Sequence, residues 1–397
     1  GPTQMLVVNV SYDNFKGQIA VGFLKAGSLR KNQQVMRIQT NGEKIPSKVT
    51  AVMTFDGLNR QEVEEVNAGD IVAVSGIEEV RIGETIADYE NPIAIPPILI
   101  DEPTVKMNFS VNTSPFAGQE GQYSTARYLK ERLEQELLND VALRVEPSLG
   151  NSDSSFVVSG RGEFHLAILI EKMRREGYEF QVGKPEVIFK GEMEPFEDMY
   201  VECPEQYVGI VIEKMGSRKG EMVDMKQDRG VAHLHFLVST RGLIGYRSEF
   251  LTDTKGEGIF NILFHGYKPS LGLIKSQSHG SLVAHETGLS NSYGLLNAQG
   301  RGKLFIGPAV PVYEGMIVGK NAKPQDLVVN ICKEKRLSNM RSRGEGVSEH
   351  FDTPLVLSLE ESIEYLGDDE LLEVTPKNLR LRKSILTALE RKRAGFQ

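Results

Sequence analysis

The spacing of apolar residues changes character along this chain. Between residues 6 and 75 they come in short runs, 6–11, 18–25, 34–39, 44–55, 62–66 and 71–75, mostly split by glycine or asparagine. Short Val- and Ile-bearing runs bounded by turn residues predict strands, and no stretch here holds a helical period. Strands at this spacing predict a small closed β-barrel over 3–92, because closure removes exposed edges. Pro92, Pro96, Pro97 and Pro103 follow. So much proline does not fit a central strand and predicts a stiff linker.

From residue 101 the period lengthens. A strand at 105–112 precedes a helix at 122–138 with Ala126, Leu129, Leu133 and Leu137 on one side. Strands at 142–146 and 156–159 lead into Ser159-Gly-Arg-Gly-Glu163, a tight turn that opens a second helix. Leu166, Leu169, Ile170 and Met173 form its apolar stripe, Glu171 and Arg175 pair on the wet side, and Gly177 stops it. A strand to 182 completes β-α-β-β-α-β, a ferredoxin-like unit over 101–190.

Residues 191–283 predict a second such unit. Its parts are a strand at 199–203, a helix opened by Pro204 with Val208, Val211, Ile212 and Met215 inward, a hairpin at 221–239, a helix at 241–251 and a strand at 258–264. Residues 284–397 follow no simple repeat. Strands are expected at 281–286, 292–296 and 303–306, and helices at 358–366 and 380–392. The predicted fold class is multidomain α+β: a β-barrel, two ferredoxin-like α/β sandwiches and a mixed C-terminal domain.

Charge adds local detail. A net charge of -8 excludes an all-over basic coat but not a basic patch. Lys333, Lys335, Arg336, Arg341 and Arg343 crowd a short glycine-flanked stretch, which suits a phosphate-contacting loop. Residues 360–373 hold seven acids, and residues 377–393 hold seven bases and one acid. Such runs usually mark solvated faces. Two distant cysteines, Cys203 and Cys332, fit a reducing compartment. No apolar run approaches the roughly 20 residues that cross a bilayer. Gly1-Pro2 lacks an initiator methionine and reads as a trimming scar, so a chain cut from something longer is expected.

Catalytic chemistry is hard to find. The nearest approach to a phosphate loop, Gly22 to Ser28, lacks the lysine that must reach the phosphates. The Gly-Lys pairs at 183–184, 302–303 and 319–320 lack the upstream glycine, and no Asn-Lys-x-Asp segment occurs. His233 and His235 share a strand face without a third ligand, His165 suits packing or capping, and His279 and His285 have no partner motif. Cys203, at a strand end before Pro204, is read as buried. No catalytic, cofactor or metal residue is therefore assigned. Arginines and lysines recur beside glycine instead, at Arg161, Arg174, Arg175, Arg218, Lys219, Arg241, Arg247, Arg301 and Lys303. Glycine lets a backbone approach and arginine grips phosphate, a pattern suited to folded RNA.

Several motifs carry a resemblance. They include Asn14-Phe-Lys-Gly-Gln-Ile-Ala-Val-Gly22, Asp101-Glu-Pro-Thr104, Asn112-Thr-Ser-Pro-Phe116, Ser159-Gly-Arg-Gly-Glu163, Ser239-Thr-Arg-Gly-Leu-Ile-Gly-Tyr-Arg-Ser-Glu-Phe250, Arg301-Gly-Lys-Leu-Phe305, Val312-Tyr-Glu-Gly-Met-Ile-Val-Gly319 and Asp368-Asp-Glu-Leu-Leu-Glu-Val-Thr-Pro376. Over nearly its whole length the chain resembles the part of BipA/TypA translational GTPases that follows the GTPase domain. The resemblance implies a barrel and two elongation-factor-G-like domains, then a family-specific C-terminal domain over 284–397. It implies a cytoplasmic, ribosome-associated monomer that docks on large-subunit rRNA at the factor-binding site and on the tRNA acceptor end. GTP or GDP with Mg2+ would belong to the full-length parent, whose GTPase domain would be a neighbour of this chain. The RNA-binding candidates are Arg241, Arg247, Arg301, Lys303, Lys333, Lys335, Arg336, Arg341 and Arg343. Two other readings stay open: a protein-interaction scaffold that uses sheet edges, and an enzyme with an unrecognised pocket.

Overall fold

A computed structural model describes residues 1–13, 15–57, 59–96, 102–148, 154–272, 280–334 and 351–395. Lys335, Arg336, Arg341 and Arg343 of the basic stretch, His279, and Pro97 of the linker lie outside the described residues. The chain divides into two compact units, 1–101 with 131–143, and 102–130 with 144–397.

The first unit is built on β1 (Gln4–Asp13), β2 (Gly17–Ala26), β3 (Ser28–Arg30), β4 (Gln34–Ile38), β5 (Lys44–Lys48), β6 (Ala51–Asp56), β7 (Asn59–Val63), β8 (Glu65–Asn67), β9 (Ile71–Ser75) and β10 (Thr85–Asp88). Eight strands pair in the order β5-β4-β10-β1-β2-β9-β6-β7, and β3 with β8 forms a separate ribbon. Met5, Val7, Leu24, Leu29, Val35, Val52, Val66, Val74 and Ile86 fill the core.

This overturns the closed barrel. The sheet path begins at β5 and ends at β7, and no pairing joins them among the described residues. Strand spacing encodes hairpins; it does not encode whether the outer edges meet. These edges are protected in other ways. Pro46 sits between Lys44 and Lys48 in β5, and β7 carries exposed Asn59, Arg60, Gln61 and Glu62. Proline and charge both discourage further strand addition. The expected strand at 44–55 is in fact two, β5 and β6.

The second unit opens with β11 (Val105–Ser110) and the first turn of α1 (Ala126–Asn139), whose remainder belongs to the first unit, and continues with β12 (Arg144–Pro147), β13 (Ser155–Gly160), α2 (Glu163–Arg175), β14 (Phe180–Val182) and β15 (Glu186–Val187). In α2, Leu166, Ala167, Leu169, Ile170 and Met173 are buried, Glu171 meets Arg175 at 2.7 Å, and Gly177 follows with φ +96°. The His165 ring caps the turn by accepting from the Arg161 amide at 3.2 Å.

Next come β16 (Met193–Pro204), a 3-10 turn at Glu205–Tyr207, α3 (Val208–Ser217), β17 (Glu221–Asp228), β18 (Val231–Ser239), α4 (Thr240–Leu243), α5 (Tyr246–Asp253) and β19 (Ile259–Pro269). Their sheet runs β17-β18-β16-β19. Met199, Val201 and Cys203 pack there with Val208, Val211, Met215, Tyr246 and Phe250. Burial pushes the Cys203 thiol up, in keeping with a packing role. The single helix expected at 241–251 breaks at Gly245, whose φ is +72°.

The remainder comprises β20 (Ser281–Ala284), β21 (Gly288–Leu289), α6 (Ser292–Gln299), β22 (Gly302–Leu304), β23 (Pro311–Val312), β24 (Ile317–Asn321), β25 (Leu327–Val329), α7 (Leu359–Tyr365), β26 (Glu370–Val374), β27 (Leu379–Lys383) and α8 (Ala388–Arg393). Strands β22-β24-β20-β25 make one sheet. The β26–β27 hairpin leaves that sheet and pairs with β14, Phe180 opposite Val374 and Val182 opposite Leu372. The first sheet therefore extends to seven strands, β12-β13-β11-β14-β26-β27 with β15 on β11. It is not a free-standing four-stranded sandwich. Several sheets with interspersed helices make the fold α+β.

The C-terminal charge runs are only partly solvated. Arg380, Arg382 and Lys383 are buried. Lys383 meets Asp326, Asp369 and Glu370; Arg380 meets Glu373 at 2.9 Å and also Glu120. Asp369, Glu370 and Glu373 of one run meet Arg380 and Lys383 of the other across a hairpin, and Glu120 and Asp326 join them from outside the runs.

Candidate nucleic-acid interface

The interface is sought among exposed cations that lack a partner. Arg241 fails that test. Its guanidinium meets Glu194, fully buried, at 3.0 Å, donates to the Gly272 carbonyl at 2.6 Å and lies over the Phe189 ring. Arg218 donates to the Gly242 and Ile244 carbonyls and pairs with Glu249. Arg174 and Arg175 are held by Glu171, and Lys219 donates to the Leu271 carbonyl. These glycine-adjacent cations stabilise the fold locally. Arg247 is exposed, yet its guanidinium stacks between Phe164 and Phe260 at 5.1 and 5.6 Å from the ring centroids.

A different picture holds on β22 and β24. Lys303 stands directly opposite Lys320, with Gly302 opposite Asn321 and Leu304 opposite Gly319. The Arg301 carbonyl accepts from the Ala322 amide at 2.9 Å, which extends the pairing, and Lys323 lies one residue further on. Arg301, Lys303, Lys320 and Lys323 are all exposed. None of the four side chains has a carboxylate partner among the described residues. Like charges opposite each other on paired strands repel by a few tenths of a kcal/mol or more. A phosphate between them would reverse that sign.

The glycines explain why the lysines sit so close. A Cβ on Gly302 would fall 2.0 Å from the Lys320 carbonyl oxygen, and one on Gly319 would fall 2.5 Å from that of Lys303. Two Gly-Lys pairs that fail as phosphate loops in sequence thus become one close-packed strand pair. Lys320 and Lys323 were missed by the sequence reading. The signal was present in Gly319-Lys320, but only the register places it against Lys303. Lys333 is exposed just beyond β25.

Other chemistry finds no support. Among the described residues no group of three or more His, Cys, Asp or Glu is arranged to hold a metal. His235 and His265 both bind the Asp198 carboxylate, at 2.8 and 2.7 Å, and His235 stacks on Tyr200. His233 instead approaches Glu202 at 3.5 Å. No described helix is long and apolar enough to cross a membrane.

Residues 279–388 match the TypA/BipA C-terminal domain, residues 192–277 the elongation factor G C-terminus, and residues 17–87 elongation factor Tu domain 2. The chain is 47% identical over 400 residues to a large ribosomal subunit assembly factor BipA of Bacillus subtilis, covering 99% of this chain and 65% of that protein. It is 47% identical over 391 residues to a putative elongation factor TypA-like SVR3, chloroplastic, of Arabidopsis thaliana, covering 97% and 57% respectively. A BipA of Salmonella typhimurium is 42% identical over 403 residues, covering 100% and 66%. The chain thus spans somewhat under two thirds of the curated relatives it matches. Near-complete coverage of this chain by such relatives, with three domain matches along it, makes it a member of the BipA/TypA family.

Proposed function

We propose that this chain is the ribosome-docking portion of a cytoplasmic GTPase that acts in large-subunit assembly and in translation under stress. It holds RNA and leaves nucleotide chemistry, with GTP and Mg2+, to a separate domain of the full-length protein. Arg301, Lys303, Lys320 and Lys323 grip phosphates of large-subunit rRNA or of the tRNA acceptor end. Lys333, Lys335, Arg336, Arg341 and Arg343 add charge to the same task, and Arg247 contributes less because its guanidinium is already stacked. The observation that carries this reading is the unneutralised Lys303–Lys320 pair, held in place by glycines. Relatives named as large ribosomal subunit assembly factors agree with it.

Salt dependence tests the reading. Each phosphate contact contributes about 0.7–0.9 to the slope of log K against log salt. Binding of this chain to purified large ribosomal subunits should weaken steeply with KCl. Lys303→Ala with Lys320→Ala should flatten the slope by about 1.4–1.8. An unchanged slope removes these lysines from the interface.

A further inference from the structure

The second unit contains a junction apart from the β22–β24 lysine pair. The N-terminus of α2, the Gly245 turn before α5, and α7 come together around a small pocket lined by Glu163, Phe164, Ala167, Arg247, Glu360, Ile363 and Glu364. These elements come from three separate stretches of the sequence. Gly245 lies between two carboxylate residues. Its amide donates to both Glu163 oxygens, at 3.2 and 3.3 Å, and its Cα faces the Glu364 side chain closely enough that a Cβ would touch it at 3.7 Å. Ser248 Oγ donates to Glu364 at 2.9 Å.

Cations around this junction are engaged elsewhere. Arg218 is bound to the Gly242 and Ile244 carbonyls and to Glu249, which also attracts Lys214; the Arg218 charge reaches Glu163 and Glu364 and opposes the effect of burial on both. Arg247 is stacked between Phe164 and Phe260. From α7, Glu360 adds negative charge, and Glu361 is committed to the capping box with Ser358. Two carboxylates therefore flank Gly245 with no ion-pair partner for either among the described residues.

We infer that Glu163 and Glu364 form a proton-dependent latch: one carboxyl must be neutral for α2, the Gly245 turn and α7 to stay closed on each other. Burial, then the Glu364 charge, pushes Glu163 up to about 7. Burial likewise raises Glu364. The sign follows from linkage. Folded Glu163 holds its proton where the opened, hydrated carboxyl has lost it, so closure is favoured below about pH 7 and weakens as pH rises through it. A single group titrating at about 7 lowers the closed-to-open ratio about tenfold between pH 6 and pH 8.

Amide hydrogen exchange on the whole chain, corrected for the intrinsic pH dependence of exchange, reads this directly. Protection of peptides over 243–250 and 359–366 should fall about tenfold from pH 6 to pH 8, against unchanged protection in the β2–β9 region. Glu163→Gln, neutral at both pH values, should abolish the change. Glu364→Gln removes the like charge and should move the transition to lower pH; it decides the matter alone if Glu163→Gln does not fold. Flat protection in the unmodified chain, a persisting tenfold change in Glu163→Gln, or an unmoved transition in Glu364→Gln would each overturn the latch.

Discussion

Arg380 is the place to strike the attachment of the β26–β27 hairpin to the rest of its sheet. It lies on β27, 8% exposed, with Glu373 fully buried on one side and Glu120 on the other. Glu373 also accepts from Asn112 Nδ2 at 3.0 Å and from the Tyr313 hydroxyl at 2.9 Å. Thr375 and Asn378 donate to Glu120, and with Arg380 they hold its carboxyl below the usual range even though burial opposes this. Removing the guanidinium leaves a buried carboxylate without its cation. Breaking a buried pair from one side costs about 3–5 kcal/mol. Arg380→Met should therefore lose about that much in urea unfolding followed by circular dichroism, because the chain has no tryptophan to report. The double variant Arg380→Met/Glu373→Gln should recover part of the loss, since the orphaned charge is then gone. A loss below about 1 kcal/mol for Arg380→Met, or no recovery in the double variant, would refute the view that this hub fastens the C-terminal hairpin to β14.

Three further outcomes are expected. Arg241→Ala leaves Glu194 buried and unpaired, so thermal melting should show a loss of about 3–5 kcal/mol; any fall in ribosome binding should follow from that loss. Gly302→Ala should destabilise by about 1–3 kcal/mol and weaken RNA binding, because its Cβ collides with the Lys320 carbonyl, whereas Gly300→Ala enters open space and should change stability by under about 0.5 kcal/mol. Burial opposes ionisation of Asp198, but hydrogen bonds from His265 and His235 outweigh it and lower its pKa. Asp198→Asn should cost about 1–3 kcal/mol near neutral pH. That cost should shrink as pH drops below the ordinary carboxylate range and through the depressed folded pKa, as urea unfolding at several pH values would show.

Residue pattern made α2 legible because its stripe, ion pair and terminal glycine all agreed. It misled where polar groups are buried. Residues 380–392 looked like a charged helix, but Leu379, Arg380, Leu381 and Arg382 alternate along β27, and both faces are covered. Arginine on a buried face is invisible to a polarity count when its acid lies 260 residues away, as Glu120 does. Residues 292–296 looked like a strand; Asn291 caps a helix there, and Gly294 lets it press on the Ile331 backbone. The same blindness affected the site. Arg241 and Arg301 both sit beside glycine, yet one is held by Glu194 and the other is exposed. Strand register, which sequence spacing does not specify, brings Lys320 to Lys303.

Charge reversal at that pair tests the central claim most directly. Lys303→Glu with Lys320→Glu should keep the thermal melting profile of the unmodified chain, since both side chains are exposed. In co-sedimentation with large ribosomal subunits at matched salt, affinity should fall at least about tenfold. Undiminished binding by the folded variant would contradict it.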